Sequence, residues 1–489
     1  MKFGEIVFQL SNNNIDNKLR KVDVSLNNPY PSNEEERLNQ IDILLLMTKG
    51  FGMEYLEKLN KRKVYPTREN LENLNKFIEP IPEKSNDPAE ILGMLHKHGS
   101  PAATANAGRR YFGFVIGGSQ PAALAANWLL GVWDQNAGLE VTSPVSAAIE
   151  NVVSDWLVEI LPVAEESVAG FTTGVTIANL TGLAAARHHI LKKHGWDVQE
   201  RGLYGAPEIE VVIGEQAHGS LLKALSILGL GRSRVIKVPV DSQGRMRVGK
   251  FPEVNENTIV CLQAGNVNTG SFDPAENIIP YAKAKGAWVH VDGAFGLWAG
   301  ASPVYSHLTR GYEDADSWAT DAHKWLNVPY DSGIILCKNT EDLKAAMSMS
   351  GDYLDQSGSR IPYQYTPELS RRARGIEIWA ALKTLGKSGV AELIERTCRL
   401  AELFSQRLKN AGFSILNDVK INQVLVSFGN SERTEKIIRA IQEDGTCWCG
   451  GTIWKGETAM RISISSWATE ETDIHLCADT IISIANSIK

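Results

Sequence analysis

The chain has 489 residues, of which 43% are hydrophobic and 22% are charged, and its formal net charge is −7. That length allows about three domain-sized units, and the composition is typical of a globular protein with a sizeable core. The acidic balance does not provide the basic surface that nucleic acid or anionic lipid requires. We therefore predict neither nucleic acid nor a membrane as a partner.

Residues 1–10 have no long apolar region and no small-residue cleavage site, so we expect no signal peptide. The longest apolar run, residues 122–133, is interrupted by Asn127 and Gly131 and is too short to span a bilayer. The six cysteines are scattered and lack the usual metal-binding spacings. They predict free thiols, no metal site and a cytoplasmic location.

The first two regions of the chain differ in their pattern. Residues 1–115 are polar, with helical patterns at 35–49 and 88–98, and predict an N-terminal helical segment. Residues 116–370 alternate apolar β-rich runs with helical patterns, which indicates a mostly parallel sheet covered on both faces in a large α/β/α domain. The predicted strands are 209–213, 234–238, 258–262, 287–291 and 333–337, and the predicted helices include 220–230 and 275–285.

Residues 371–489 have a different pattern and predict a smaller C-terminal α+β domain. Its predicted elements are helices at 374–385, 390–411 and 470–488, and strands at 423–428 and 459–464.

Residues 172–180, TTGVTIANL, predict a phosphate site at a helix N-terminus. The helix ends with cations and a glycine at 192–195, as helix C-termini prefer. Its N-terminus therefore presents the backbone N–H groups of Gly174, Val175 and Thr176, which with the helix dipole suit a phosphate. The same residues also fit an ordinary capped helix, so this prediction depends on the motifs that follow.

Asp292 and Lys324 together indicate a cofactor. Asp292 directly follows the predicted strand 287–291, at the carboxyl edge where open α/β sheets bind ligands, although a structural cap of the next turn is the alternative. Lys324 follows about one βα unit later, between His323 and Trp325, which argues against a solvated surface lysine. Pyridoxal 5′-phosphate (PLP) needs a lysine that holds its aldehyde as an imine and a carboxylate that keeps its ring nitrogen protonated.

Three other polar residues are candidates for the same site. Asp321 and His323 are placed to contact the phosphate or orient the lysine, but a turn carboxylate and a hydrogen-bonded core histidine are equally good interpretations. His218, in QAH at 216–218, follows a strand and opens a helix. There it is a candidate to stack on the pyridine ring and to transfer a proton near the substrate α-carbon. A lone histidine at a strand end is more often structural.

With these motifs the chain resembles the PLP-dependent group II amino acid decarboxylases, the family of aromatic-amino-acid, histidine and glutamate decarboxylases. The resemblance covers about residues 80–470, and its most specific part is DAHKWLNVPYD at 321–331. It implies the PLP-dependent transferase fold type I. It also implies an obligate homodimer with active sites at the subunit interface and an N-terminal segment that embraces the partner.

The resemblance also implies roles for single residues. Lys324 would carry the cofactor and Asp292 would pair with its ring nitrogen. The remaining implied contacts are Ala294 under the ring, His218 over it, and Thr176, Asp321 and His323 near the phosphate.

In the family, a mobile loop carries a tyrosine that protonates the α-carbon after carbon dioxide leaves. The corresponding loop here is about residues 351–370, which offers Tyr353, Tyr363 and Tyr365. We predict Tyr363 as the proton donor.

The family's substrate-contacting stretch matches residues 111–119, YFGFVIGGS, which are apolar and small. This composition favours an aromatic or apolar amino acid over glutamate or aspartate, although Arg109 and Arg110 lie close enough in sequence to reverse that preference. Arg461 is a candidate for the substrate carboxylate, with a structural ion pair as the more common alternative.

The predicted reaction is PLP-dependent decarboxylation of an L-amino acid to the amine and carbon dioxide. The bond that stands perpendicular to the ring decides between decarboxylation, transamination and aldol-type cleavage, and the residues leave this open. The alternatives are therefore another carbon–carbon lyase or aminotransferase reaction on the same scaffold, or a catalytically silent PLP-binding protein. The presence of Lys324, Asp292 and His218 argues against the silent alternative.

Overall fold

The structure, a computed structural model, describes residues 31, 33–349 and 360–488. The chain forms two compact units. The first contains the described part of residues 1–108 together with residues 443–446, and the second contains the described part of the remainder. The division at 115 and 370 that the sequence suggested stays a prediction.

The first unit is helical where it is described. Its helices are α1 (Glu34–Leu59), α2 (Arg68–Glu72), α3 (Pro88–Met94) and α4 (Ser100–Ala102). Asn33 caps α1, because its Oδ1 accepts the Glu36 N–H at 2.9 Å. α1 continues through Gly50 and Gly52 beyond the predicted end at residue 49, since a glycine inside a helix costs only about 1 kcal/mol.

The second unit contains a seven-stranded and a four-stranded sheet. The strands of the large sheet are β1 (Val168–Thr172), β2 (Glu210–Gly214), β3 (Ile236–Val238), β4 (Thr258–Gln263), β5 (Trp288–Asp292), β6 (Ser317–Asp321) and β7 (Gly333–Cys337). Their order is β1-β7-β6-β5-β4-β2-β3. Strands β2 to β6 pair in parallel, and β7 is antiparallel to both neighbours, which confirms the mostly parallel sheet.

Both faces of the large sheet are buried, as a parallel sheet requires. On β2 and β4, Val212 and Val260 belong to the core on one face, whereas Val211 and Ile259 belong to the core on the other. The helices of this part are α5 (Pro121–Trp133), α6 (Pro144–Ile160), α7 (Val175–Lys193), α8 (Val198–Arg201), α9 (Gly219–Ile227), α10 (Ala275–Ala284) and α11 (Thr340–Met347).

The four-stranded sheet is antiparallel, in the order β10-β11-β9-β8. Its strands are β8 (Ser414–Ile415), β9 (Gln423–Ser427), β10 (Gly450–Trp454) and β11 (Glu457–Ser463), and its helices are α12 (Arg374–Asn410), α13 (Ser431–Asp444) and α14 (Glu471–Ser487). A separate core packs Phe404, Phe428 and Ile462 together. α12 spans two predicted helices, and Gly386, at φ 60°, interrupts its helical backbone between them.

The topology brings two acidic residues to the same edge. β5 and β6 are parallel neighbours, and their last residues are Asp292 and Asp321. Ligand sites in open α/β sheets lie at this carboxyl edge. α7 begins at Val175, shortly after the last residue of β1, so the N-terminus of α7 lies at the same edge of the sheet.

The six cysteines are all buried thiols outside any disulfide, as their spacing predicted. Among the described residues, no helix combines the length and apolar character needed to cross a bilayer. Within the same residues, histidine, cysteine and acidic side chains do not gather in groups of three that could hold a metal ion.

Candidate active site

Asp292 is a buried carboxylate at the end of β5, with only 3% of its surface exposed. Its Oδ2 accepts a hydrogen bond from Asn179 Nδ2 at 3.2 Å, and its Oδ1 accepts the Ala294 N–H at 3.3 Å. Burial raises the pKa of Asp292, and the nearby charges of His218 and Lys324 oppose that rise. A buried carboxylate of this kind favours a positively charged partner such as a protonated ring nitrogen.

A line of buried polar groups continues behind Asp292. Asn179 Oδ1 lies 2.9 Å from His290 Nε2, and His290 Nδ1 lies 2.8 Å from Ser317 Oγ. Burial lowers the pKa of His290 to about 3, so the imidazole is neutral at physiological pH. The sequence interpretation missed Asn179 and Ser317. A buried asparagine inside a helix was the available signal, because such a residue normally needs a side-chain partner.

Lys324 lies beside Asp321. Its Nζ is 2.8 Å from Asp321 Oδ2, and 18% of its side chain is exposed. Asp321 Oδ1 accepts the Val175 N–H at 2.7 Å. Asp321 therefore links the lysine to the first turn of α7.

The N-terminus of α7 approaches the sheet closely. A Cβ on Gly333 would lie 2.4 Å from the Gly174 Cα, so glycine at 333 permits this approach. The anion in contact with this helix end is the Asp321 carboxylate, which occupies the Val175 N–H. Phosphate contacts from Gly174, Val175 and Thr176 stay a prediction, and a phosphate would have to share this end of the helix with Asp321.

His323 has a defined tautomer. Its Nδ1 accepts the Ser332 N–H at 3.1 Å, which leaves the proton of the neutral ring on Nε2, 3.6 Å from Asp321 Oδ2. Burial lowers the pKa of His323, and the ring stacks on Tyr330 with centroids 4.3 Å apart. His323 thus points an N–H group towards the carboxylate beside Lys324.

His218 caps the helix that it opens. Its Nδ1 accepts the Ser220 N–H at 3.2 Å, so the proton of the neutral ring is on Nε2. The side chain has an exposed surface, yet protein atoms surround it closely in a concave site, and this partial burial lowers its pKa. His218 and Asp292 line the same narrow cavity.

The stretch predicted to contact substrate lies against the lysine. A Cβ on Gly117 would be 1.9 Å from the Lys324 carbonyl oxygen. In the same stretch, Tyr111 and Phe114 both stack on Trp448, with ring centroids 5.1 and 5.9 Å away. Phe114 is 61% exposed and has a left-handed backbone at φ 52°. These rings form an aromatic surface, of which the sequence interpretation did not include Trp448.

Arg461 is a largely buried cation on β11. No carboxylate of the described residues lies within ion-pair distance of it, which disfavours the structural ion pair considered from the sequence. Its charge lies near Tyr111 and opposes the burial that raises the pKa of Tyr111 to about 12. Arg109, in contrast, pairs with Glu470 at 2.8 Å.

Tyr363 is buried on a short 3-10 helix, and its backbone N–H donates to the Gly138 carbonyl at 3.0 Å. Its hydroxyl has no hydrogen-bond partner among the described residues. The described contacts do not join it to Lys324 or Asp292, so its role as proton donor stays a prediction. Tyr353 lies outside the described residues.

The residues at this edge fit PLP. The fit rests on the buried Asp292 carboxylate, which has two weak neutral donors and no ion pair within 4 Å in the described part of the chain. Lys324 supplies an amine on the same edge, and its charge is close enough to act on Asp292. These are the two groups that the cofactor's ring nitrogen and aldehyde require.

Comparison with known proteins identifies the class. The sequence model of the family described as "Pyridoxal-dependent decarboxylase conserved domain" matches residues 72–430. The chain belongs to this family, which confirms the resemblance to the group II decarboxylases. It is a PLP-dependent carboxy-lyase of fold type I, and PLP is its cofactor.

Individual relatives differ in the substrates that their names state. An aromatic-L-amino-acid decarboxylase of Bacillus atrophaeus is 25% identical over 443 residues, covering 85% of this chain and 90% of the relative. An aspartate 1-decarboxylase of Aliivibrio fischeri is 30% identical over 262 residues, covering 50% of this chain and 48% of the relative. The family therefore leaves the substrate preference undetermined.

Solved structures share the fold. The crystal structure of Oryza sativa TDC with PLP and tryptamine has a TM-score of 0.85 at 19% identity, covering 94% of this chain and 99% of that chain. The crystal structure of mouse CSAD has a TM-score of 0.82 at 20% identity, covering 91% of this chain and 99% of that chain.

Proposed function

We propose that this carboxy-lyase decarboxylates an aromatic L-amino acid to the corresponding amine. The observation that carries the proposal is the aromatic surface of Tyr111, Trp448 and Phe114 beside Arg461. Flat rings bind a flat side chain by stacking, which contributes about 0.5–1.5 kcal/mol beyond buried area.

The charges around this surface support the same preference. Arg109 is engaged by Glu470, so one of the two cations considered for an acidic side chain already has a partner. Arg461 is assigned to the α-carboxylate, since a desolvated guanidinium near Tyr111 suits a planar, two-oxygen anion. An acidic side chain would then lie against aromatic rings, with Arg461 already engaged by the α-carboxylate.

The chain's own residues divide the chemical work. Bound PLP supplies an electron-accepting ring in conjugation with the substrate α-carbon. Lys324 would hold the cofactor through its amine. Asp292 keeps the ring nitrogen positively charged, because a cation next to a buried carboxylate offsets the cost of removing that carboxylate from water. His323 and Thr176 are assigned to the phosphate with Gly174, Val175 and Asp321, and Ala294 to the ring.

Protonation of the α-carbon is assigned to His218 or Tyr363. His218 shares a cavity with Asp292 and carries its ring proton on Nε2, which supports it as one donor. Tyr363 is buried, and its hydroxyl has no hydrogen-bond partner in the described part of the chain, which supports it as the other. A proton donor must come within hydrogen-bond reach of the carbon that it protonates.

The assembly is proposed to be a homodimer in the cytoplasm. In the second unit, α5 exposes Trp128, Leu129, Val132 and Trp133, each between 40% and 63%. In the first unit, α1 exposes an apolar row, Leu38, Ile41, Leu45, Met53 and Leu56. Apolar surface of this kind favours a protein partner, and six reduced thiols suit the cytoplasm.

The test is carbon dioxide release from a panel of L-amino acids, with amine products identified by mass. We expect phenylalanine, tyrosine or tryptophan to give the highest kcat/KM, and aspartate and glutamate to give at least about tenfold less. The same panel is then run with Trp448→Leu, which removes one ring of the aromatic surface. The ratio of kcat/KM for aromatic over aliphatic substrates should be lower in this variant than in the wild type. Preference for an acidic substrate would refute the proposal.

A further inference from the structure

Five buried side chains form one continuous line behind the site. Trp288 Nε1 lies 3.0 Å from Ser317 Oγ, and Ser317 Oγ lies 2.8 Å from His290 Nδ1. His290 Nε2 lies 2.9 Å from Asn179 Oδ1, and Asn179 Nδ2 lies 3.2 Å from Asp292 Oδ2. Each of the five side chains is at most 3% exposed. We call this set the buried chain.

The two ends of the buried chain fix its direction. The Trp288 indole can only donate, and an ionised Asp292 can only accept. Ser317 therefore accepts from the indole and has its own proton for His290 Nδ1. The neutral His290 then carries its proton on Nε2 and donates to Asn179 Oδ1, which turns the Asn179 amide N–H towards Asp292.

The opposite direction is unfavourable. If Asn179 were reversed, its Oδ1 would face Asp292 Oδ2, and two acceptors would meet in a buried site. Leaving a buried polar group unsatisfied is costly, and the cost is greater next to a charge. An ionised Asp292 suits this arrangement because both of its oxygens then accept hydrogen bonds, and ionisation is the state that a protonated ring nitrogen requires.

The geometry points to Asn179 as a positioning residue, held in one orientation by Trp288, Ser317 and His290, that fixes and stabilises the Asp292 carboxylate for the ring nitrogen of the cofactor. Asn179 acts through Asp292, so its effect depends on the ring nitrogen being present. This inference is independent of which amino acid is decarboxylated.

The test measures binding of two cofactor analogues to the full chain after its cofactor is removed and reloading with PLP is verified. One probe is pyridoxine 5′-phosphate, whose alcohol cannot form an imine with Lys324. The other is the same molecule with CH in place of the ring nitrogen. We expect Asn179→Leu to weaken the first probe about tenfold, equivalent to about 1.4 kcal/mol at 25 °C, and to change the second less than about twofold.

Thr181→Val is the matched control, since Thr181 is also buried on α7 but donates to the Ile177 carbonyl instead. It should leave both probes unchanged. Equal weakening of both probes by Asn179→Leu would overturn the inference, because general disruption of the fold does not depend on one ring atom.

Trp288→Phe provides a second variant if Asn179→Leu fails to fold. It keeps an aromatic ring but removes the donor that sets the direction of the buried chain. We expect a smaller loss of about twofold to threefold, again only for the probe with a ring nitrogen. No difference between the two probes would contradict the proposed direction.

Discussion

The two sides of the site differ in how their polar groups are satisfied. In the buried chain, which runs from Trp288 through Ser317, His290 and Asn179 to Asp292, every polar side-chain group has a hydrogen-bond partner. A second set of residues, which we call the cleft face, consists of His218, Tyr111, Phe114, Trp448 and Arg461. There Phe114 is mostly exposed, and Arg461 has no ion pair among the described residues.

This difference separates two tasks. A fully satisfied buried network holds one geometry, which suits the binding of the cofactor ring, because that ring is the same for every substrate. A partly exposed face with an unpaired cation can accept groups that arrive with the substrate. Changes in the buried chain should therefore alter cofactor binding and stability, whereas changes in the cleft face should alter substrate selection.

The largest effect is expected at the junction of the two sides, in Lys324→Ala. Without the amine the cofactor is not held covalently, so carbon dioxide release should fall to below about 10⁻³ of wild type. Stopped or endpoint assays of carbon dioxide check this. Lys338→Ala, which removes only an exposed pair with Glu166, is the control and should keep full activity. Wild-type rates in Lys324→Ala would refute the mechanism.

The next largest effect is expected from Asp292→Asn, which keeps the shape of the buried chain's last member and removes its charge. The neutral amide cannot hold the ring proton, so kcat should fall about 10²- to 10³-fold. Part of the PLP should remain bound, which absorbance of the bound cofactor measures. Unchanged kcat with full cofactor loading would show that the charge is not needed.

Arg461→Met tests the cleft face. Loss of a charge-assisted hydrogen bond costs about 1.5–3 kcal/mol, so kcat/KM should fall roughly 10- to 150-fold. Arg461→Lys should recover part of this loss, because it restores the charge without the planar fork. PLP binding should stay at the wild-type level in both variants. A loss of cofactor equal to the loss of activity would place Arg461 on the cofactor side instead.

The smallest effect on activity is expected from the last prediction, which concerns the acid stability of the buried chain. Folding depresses the pKa of His290 from about 6.5 to about 3, so the unfolded chain binds the extra proton first. The contribution of neutral His290 to the stability of the folded protein is complete above about pH 6.5. It is lost as the pH falls from there through about 3, at up to about 1.4 kcal/mol per pH unit.

Urea unfolding of the holoenzyme between about pH 5 and pH 6.5 measures this slope. His290→Gln, which removes the titrating group, should give a slope smaller by about one proton. Identical slopes for the variant and the wild type would contradict the assigned protonation.

The sequence anticipated the sheet better where strands are strongly apolar. Residues 258–262 and 333–337 were predicted within one residue of β4 and β7. β1 and β6 were missed, because VAGFT contains a glycine and SWATD has no β-branched run. Both strands pair with β7, which is distant in sequence from β1, and β6 also pairs with β5, so their stability comes from neighbouring strands more than from their own residues.

The site was anticipated only in part for a similar reason. Asp292 and Lys324 follow from local motifs, and the structure brings them to one edge. Asn179 is 113 residues from Asp292 and 111 from His290, so no local pattern reports their contact. The Asp321 contact with the Val175 N–H has the same origin, since it joins positions 146 residues apart.

The burial of all six cysteine thiols makes site-specific labelling of the protein practical. Burial raises the pKa of Cys261, Cys337 and Cys398, so little of the nucleophilic thiolate is present and maleimide dyes should react slowly with the folded protein. A cysteine introduced at Tyr204, which is 99% exposed, would then be the preferred point of attachment. Fluorophores or spin labels could be placed there without first removing the native sulfur atoms.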